Sequence, residues 1–261
     1  MNLFFLVLSR DTQYLSEKIK EIDSLGVPYL IVCGEKFDSP KVVYRKPKGK
    51  YDALNFGLNL IPENVDIVIF NDVDTRIYNF EEVLNLVRSV NMPDLLFVRV
   101  YVDKGPQTMF YSFLDGIRRR FSVAASGELM LIKYSFLKRI LPLKSCKAED
   151  SYILFKVLEL GGRVAFCEKC FVTTKRTVTV EQEEVYKRRT VCGIYQALSM
   201  CKPPFMVRLF YTLLPFASPL LLLSGRKGYY WMKGILHGFV DFIKGDRSGY
   251  WESIEKNVCS L

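Results

Sequence analysis

The stretch Val65-Asp66-Ile67-Val68-Ile69-Phe70-Asn71-Asp72-Val73-Asp74-Thr75 is apolar up to Phe70, apart from Asp66, and then turns abruptly acidic. A short apolar run bounded by turn residues predicts a buried strand over 65–70. In open α/β sheets the ligand crevice lies beyond the carboxyl ends of the strands, so Asp72 and Asp74 stand where a ligand would be met. Two aspartates one residue apart suit a hard divalent cation, which takes oxygen ligands and leaves room for water and phosphate. Taken alone, Asp-x-Asp reads first as a solvated turn after a strand.

Working outward, strands are expected near 3–8, 28–33, 65–70, 95–101, 128–133 and 163–167. Helical patterns fall between them near 13–24, 52–61, 80–89, 134–140 and 151–160. Such alternation predicts an α/β fold with a Rossmann-like, mostly parallel sheet covered by helices on both faces. The chain has 261 residues, 49% of them hydrophobic and 25% charged, enough for one ordinary domain plus an appendage. Neither an internal repeat nor a low-complexity tract is visible.

Upstream of the acidic pair stands Lys48-Gly49-Lys50-Tyr51-Asp52-Ala53-Leu54-Asn55-Phe56-Gly57-Leu58. A basic, glycine-containing loop runs here into a helical pattern, with Asp52 as the expected N-cap. Such a loop offers backbone N–H groups and Lys50 together to an anion. The plain alternative is an amphipathic helix with a basic lead-in. Downstream, Ala148-Glu149-Asp150 precedes a helix predicted over 151–160, closed by Gly161-Gly162. Acidic residues in a first turn are as readily explained by the helix dipole as by a site.

In order along the chain come Lys50, Ala53, Leu54 and Asn55; Asp72-x-Asp74; the small-residue stretch from Ala125 to Lys133 with Gly127; Glu149-Asp150; and the basic cluster Tyr186-Lys187-Arg188-Arg189-Thr190. This series resembles the family 2 glycosyltransferases with the GT-A fold, in particular a membrane-associated, glycan-extending branch. The likeness covers about residues 1–200, which are expected to form the catalytic domain, with 201–261 as a C-terminal helical segment. The family's nucleoside-contacting Asp after the second strand is replaced here by Cys33-Gly34-Glu35, so Glu35 stands in for it. Thr190 occupies the place of a family Trp. Thr75-Arg76 after the acidic pair, where polyprenyl-phosphate sugar synthases tend to have Leu-Gln, tilts the likeness toward extension of a glycan.

The resemblance implies an inverting transfer of a sugar from a nucleotide-diphosphate donor to a hydroxyl. Negative charge grows on the leaving diphosphate as an oxocarbenium-like transition state forms. A Mn2+ or Mg2+ ion on Asp74 and Asp72, assisted by Lys50 and Arg189, would offset it. Arg188 is the less well placed of the two arginines. Asn55 and Glu35 would also contact the donor. Asp150 is the expected general base, with Glu149 and Gly127 on the acceptor side. The single histidine, His237, reads as a packed or interfacial residue.

Net charge is +9. The basic residues are dispersed, Arg118-Arg119-Arg120 being the densest cluster before residue 187, and no nucleic-acid module stands out. An anionic membrane surface explains the charge better, because residues 205–224 (FMVRLFYTLLPFASPLLLLS) carry one charge, Arg208. Twenty such residues could span a bilayer, but Pro215 and Pro219 interrupt them, and Tyr229-Tyr230-Trp231 suits an interface. An interfacial or re-entrant helix pair is preferred over a span, and packing on the catalytic domain is the rival. The apolar start ends by Leu8 without the pattern of a signal peptide, so the expected location is the cytoplasmic face of the cell membrane.

Seven cysteines are expected to be reduced thiols, with Cys167-Glu168-Lys169-Cys170 the one close pair. Three other readings stay open: a polyprenyl-phosphate sugar synthase; a sugar nucleotidyltransferase, disfavoured because Ser9-Arg10-Asp11-Thr12 lacks the glycine-rich loop; and a non-catalytic, membrane-bound sugar-nucleotide-binding protein.

Overall fold

The computed structural model describes residues 1–89, 91–102, 108–174, 177 and 179–249. The first strand, β1 (Leu3–Ser9), is followed by α1 (Leu15–Leu25), β2 (Tyr29–Cys33), β3 (Val42–Tyr44) and α2 (Lys50–Leu58). The acidic stretch forms β4 (Ile67–Asp72), a two-residue turn, and β5 (Thr75–Tyr78). Then come α3 (Phe80–Arg88), β6 (Leu95–Val102), α4 (Thr108–Arg120), β7 (Leu129–Lys133), α5 (Tyr134–Leu137), α6 (Glu149–Glu159) and β8 (Val164–Thr174). Three helices follow among the described residues: α7 (Val180–Met200), α8 (Phe205–Ala217) and, after a 3-10 turn at Ser218–Ser224, α9 (Gly225–Ile243).

All eight strands join one sheet in the order β3-β2-β1-β4-β7-β6-β8-β5. β1 pairs in parallel with β2 and β4, and β6 with β8, while β7 and β5 run antiparallel to their neighbours. The chain builds outward from β1 through β2 to β3 and then returns to the other side of β1 as β4. That reversal opens a crevice at the carboxyl ends of β1 and β4, where Leu8 pairs with Asp72. The expected mostly parallel sheet is therefore present, with an antiparallel β7 inserted at its centre.

Two apolar layers sandwich the sheet. One face collects Phe5, Val7, Ile31, Ile69 and Val83 against α1 and α3. The other collects Leu6, Leu54, Phe70, Phe97, Ile153 and Phe155, and it extends without interruption to Tyr195, Tyr211 and Ile235 on the C-terminal helices. The alternation of Phe4, Leu6 with Phe5, Val7 is the period-2 pattern that sends neighbouring side chains to opposite layers.

Several boundaries differ from expectation for local reasons. β4 runs two residues beyond Phe70, so Asp72 is the last residue of a strand rather than part of a loop. Asp52 is not the N-cap of α2. Gly49, at φ 114°, takes that place, a conformation that L side chains rarely adopt, and Asp52 lies inside the first turn paired with Arg45 at 2.9 and 3.0 Å. α6 begins at Glu149, which brings both acidic residues into its first turn. The last strand reaches Thr174 because a bulge absorbs residues 168–170, since Val98 pairs with Cys167 but Arg99 with Phe171. Cys167 and Cys170 are free, buried thiols.

Candidate functional site

The crevice at the end of β4 is lined by Leu8, Lys50, Asn71, Asp72, Gly127, Glu149 and Asp150. Five separate elements supply these groups: the end of β1, the tip of β4, the first residue of α2, the loop before β7 and the first turn of α6. Lys50 is the tie. Its Nζ lies 2.9 Å from Asp72 Oδ1 and 2.7 Å from Glu149 Oε1, bridging the strand tip to the helix start. Burial by itself would favour the neutral amine, but the Asp72 and Glu149 carboxylates outweigh it and hold Lys50 well above the usual lysine range. The crevice therefore carries a permanent ammonium with a carboxylate on each side.

Asp150 is next in line and behaves differently. Its Oδ1 accepts a hydrogen bond from its neighbour Ser151 N at 2.7 Å. Burial, and then the negative charge of Glu149, push its carboxyl up to about 6, against the opposing pull of Lys50. Two adjacent acids are thus divided in role by their surroundings. Glu149 is paired with Lys50, whereas Asp150, with its carboxyl raised to about 6, can gain or release a proton in the mildly acidic range. Gly127 makes this closeness possible: a Cβ there would stand 3.2 Å from Asp150 Cβ and 3.4 Å from Lys50 Nζ.

The acidic turn rests on a buried support. Lys18, only 2% exposed, rises from α1 and donates to Asn71 Oδ1 at 3.0 Å, to Glu21 Oε2 at 2.6 Å and to the carbonyl of Thr75. Asn71 in turn donates to Thr75 Oγ1 at 2.9 Å and to the Glu128 carbonyl at 2.6 Å. Glu21 accepts from Ile77 N at 2.6 Å. Every residue flanking Asp72–Asp74 is thereby tied down. These supports were missed from the sequence, although a signal existed, since Leu15, Lys18 and Ile22 share one helical face and a lysine on an apolar stripe needs a buried partner.

The other expected site residues fall as follows. Asp74 lies in the turn between β4 and β5, two residues past Asp72. Glu35 is at the end of β2 and accepts from Thr12 N and Oγ1, both at 3.2 Å, which ties it to the loop after β1. Asn55 is committed elsewhere: its amide donates to Leu143 O and accepts from Leu143 N, both at 2.8 Å, clamping α2 to the segment leading into α6. Of the two arginines, Arg188 pairs with Asp241 on α9 at 2.5 and 2.8 Å. Arg189 lies one turn before Gly193, whose Cβ position would meet Ala148 N at 2.6 Å. Positions i and i+4 share a helix face, so Arg189 is on the side of α7 that approaches the start of α6. His237 is a surface partner of Glu184 at 3.2 Å, remote from the crevice residues in both its contacts and its helix.

Among the described residues, no three His, Cys, Asp or Glu side chains gather into a metal cage. The donor set nevertheless fits a hard divalent ion. Asp72 already faces a cation, its side chain is 28% exposed, and Asp74 follows on the same turn. Mg2+ and Mn2+ are commonly held by one or two carboxylates and completed by substrate phosphates and water.

No family model and no curated protein matches this sequence. Solved structures do. The mannosyltransferase PcManGT from Pyrobaculum calidifontis, in complex with GDP-Man and Mn2+, superposes with a TM-score of 0.70 at 16% identity, covering 93% of this chain and 87% of that one. GalNAc-T7 with UDP, GalNAc and Mn2+ gives a TM-score of 0.54 at 11% identity, over 94% of this chain and 56% of that one. At these identities the likeness establishes the fold: the chain has the GT-A architecture of nucleotide-sugar glycosyltransferases.

Proposed function

We propose that this protein is an inverting glycosyltransferase that moves a sugar from a nucleotide-diphosphate donor to a hydroxyl of a membrane-linked glycan or lipid. One observation carries the reading: Asp72, Lys50, Glu149 and Asp150, spread over about a hundred residues of chain, line a single crevice at the switch point of a GT-A sheet. The two superposed transferases bind GDP-Man or UDP together with Mn2+, which supports a donor of the same class here.

The roles follow from position and charge. Lys50 is a fixed cation at the mouth of the crevice and meets the diphosphate, releasing part of its hold on Asp72 as it does so. Arg189 adds a second positive charge from α7. Glu35, beside the loop after β1, faces the nucleoside side. A Mn2+ or Mg2+ ion held by Asp74 and Asp72 supplies, when bound, electrostatic stabilisation of the leaving diphosphate. Asp150 takes the proton of the acceptor hydroxyl as that oxygen attacks the anomeric carbon, and Glu149 keeps Lys50 aligned beside it. Asn55 acts on the donor side through position, by fixing the distance between α2 and the segment before α6. The apolar C-terminal helices bring this chemistry to the cytoplasmic face of a membrane, where the acceptor is concentrated.

The experiment is a panel of nucleotide sugars with Mn2+ and the purified full chain, read as release of nucleoside diphosphate. Metal-dependent release from at least one donor, lost in Asp150→Asn, is expected. Absence of both turnover and Mn2+-dependent nucleotide binding across the panel would overturn the assignment.

A further inference from the structure

Helix α4 leaves large aromatic surface exposed beside a buried charge pair. It buries Asp115, which is 5% exposed and held by Arg99 at 3.3 Å and Arg118 at 3.1 Å, yet it turns Phe113 outward at 66% exposure. Phe113, Arg120 and Phe121 follow i, i+7 and i+8 spacing along one side, all exposed and Phe121 at 59%, while Ile117 between them packs against the core. Phe110 and Tyr111 of the same helix are buried against Trp231, so the exposed Phe113 and Phe121 are additional aromatic surface that packing within the protein leaves open.

The C-terminal hairpin has the same character and lies alongside. α8 buries Val207, Tyr211 and Pro215 at i, i+4 and i+8, which directs Phe205, Leu213 and Phe216 to the opposite side. Leu220 and Leu223 continue that apolar surface, 69% and 88% exposed. The two elements are fastened together. Tyr211 Oη donates to the Val123 carbonyl, two residues after Phe121, at 2.7 Å. Leu221 packs against the cluster of Phe110, Tyr111 and Trp231, with Leu114 of α4 beside it.

We propose that α4 and the α8–α9 hairpin form one continuous face that lies in the plane of an anionic lipid bilayer. The face extends the membrane association assigned above to the tail, and it adds an element of the catalytic domain itself. Two features select a bilayer as occupant. The most apolar 18-residue window of the 39-residue helical stretch Phe205–Ile243 is only 22% buried. Exposed cations also stand along the apolar surface: Arg120 on α4, Arg208 on α8 and Lys227 at the start of α9, while Arg226 beside it is paired with Glu181 at 2.7 Å. Apolar side chains flanked by cations insert at the boundary of anionic headgroups, with each charge adding to the attraction. A transverse span is disfavoured because Tyr211, Trp231 and Ile235, all buried in the protein, would have to leave their packing.

The test is sedimentation of the full chain with vesicles of phosphatidylcholine alone or with 30% phosphatidylglycerol, in the absence of donor. Phe113→Ser with Phe121→Ser should lower partition onto the anionic vesicles by about tenfold to a hundredfold, as expected for two aromatic side chains removed from lipid. Arg120→Glu should lower it selectively on the anionic vesicles. In a separate variant, the added fluorescence of Phe113→Trp should be quenched by lipids brominated on their acyl chains. Unchanged partition of the double variant together with no quenching would overturn the role of α4, as would loss of self-association rather than vesicle binding. Nucleotide release by the same variants in solution reports the transferase reading separately, so the two can fail independently.

Discussion

Lys18 Nζ lies 3.0 Å from Asn71 Oδ1, joining the first helix to the strand residue immediately before Asp72. The contact crosses 53 positions of sequence and braces the acidic turn from below. Replacing Lys18 by Met leaves Glu21, Asn71 and the Thr75 carbonyl with unmet hydrogen bonds in a buried place. A loss of about 2–4 kcal/mol in unfolding free energy is expected, measured by urea titration. Metal-dependent nucleotide affinity of the folded fraction should fall as well, because Asp72 and Asp74 lose their support. Unaltered affinity would mean that the turn holds its shape without Lys18.

Asp150→Asn should cut transfer by about a hundredfold or more while donor binding stays close to native, seen by single-turnover kinetics beside nucleotide titration. The same change bears on stability. A carboxyl raised from 3.8 to about 6 in the folded chain binds more protons folded than unfolded between those values, so it costs stability as pH rises through that window. The Asn variant should therefore unfold at a higher temperature at pH 7, by an amount worth at most about 3 kcal/mol. For the native chain, transfer should rise with pH through about 6 and then level off, since the base must be ionised. A flat profile between pH 5 and 7 would remove Asp150 from that role.

Asp74→Ala should weaken Mn2+-dependent nucleotide binding by at least about tenfold, with little change in binding measured without metal. Calorimetric titration with and without chelator separates the two. Equal losses under both conditions would assign Asp74 to the fold rather than to the cation.

Removal of residues 205–261 should yield an unstable, aggregating chain rather than a soluble catalytic domain. Tyr211 and Ile235 belong to the same apolar layer as Phe97 and Phe155, and taking them away uncovers that layer. Size-exclusion chromatography distinguishes the outcomes, and a monodisperse, active truncation would show that the layer closes by itself.

The legibility of the site varied by residue for identifiable reasons. Asp72 and Glu149-Asp150, which line the crevice, stand out in the sequence because each is a local break in an apolar or helical pattern, as is Asp74 in the turn beyond β4. Lys50 could be found as a cation at the head of a helix, but its bridge between Asp72 and Glu149 joins positions 22 and 99 residues away and has no local mark. Asn55 was expected to meet the donor, yet its amide is matched to the Leu143 backbone, a partner that sequence spacing does not reveal. Lys18 was overlooked because a lysine in a helix is usually solvated, and only its position between Leu15 and Ile22 hinted otherwise. α4 and α7 were not anticipated as elements at all, since α4 mixes the buried Phe110 and Tyr111 with the exposed Phe113 and three arginines, and the first half of α7 is crowded with charged residues.

By itself the sequence determined the strand that leads into Asp72, the alternation of strands with helices, the order of the acidic and basic motifs, and the apolar tail. Those are properties of neighbours at two, three or four residues, set by the pleat of a strand and the turn of a helix. The tertiary structure alone decided which carboxylate pairs with Lys50 and which has its carboxyl raised to about 6, which arginine approaches α6, and that α4 packs against the tail. Charge pairing and burial depend on distances through space, and the order of strands in the sheet, not the order of residues in the chain, sets those distances.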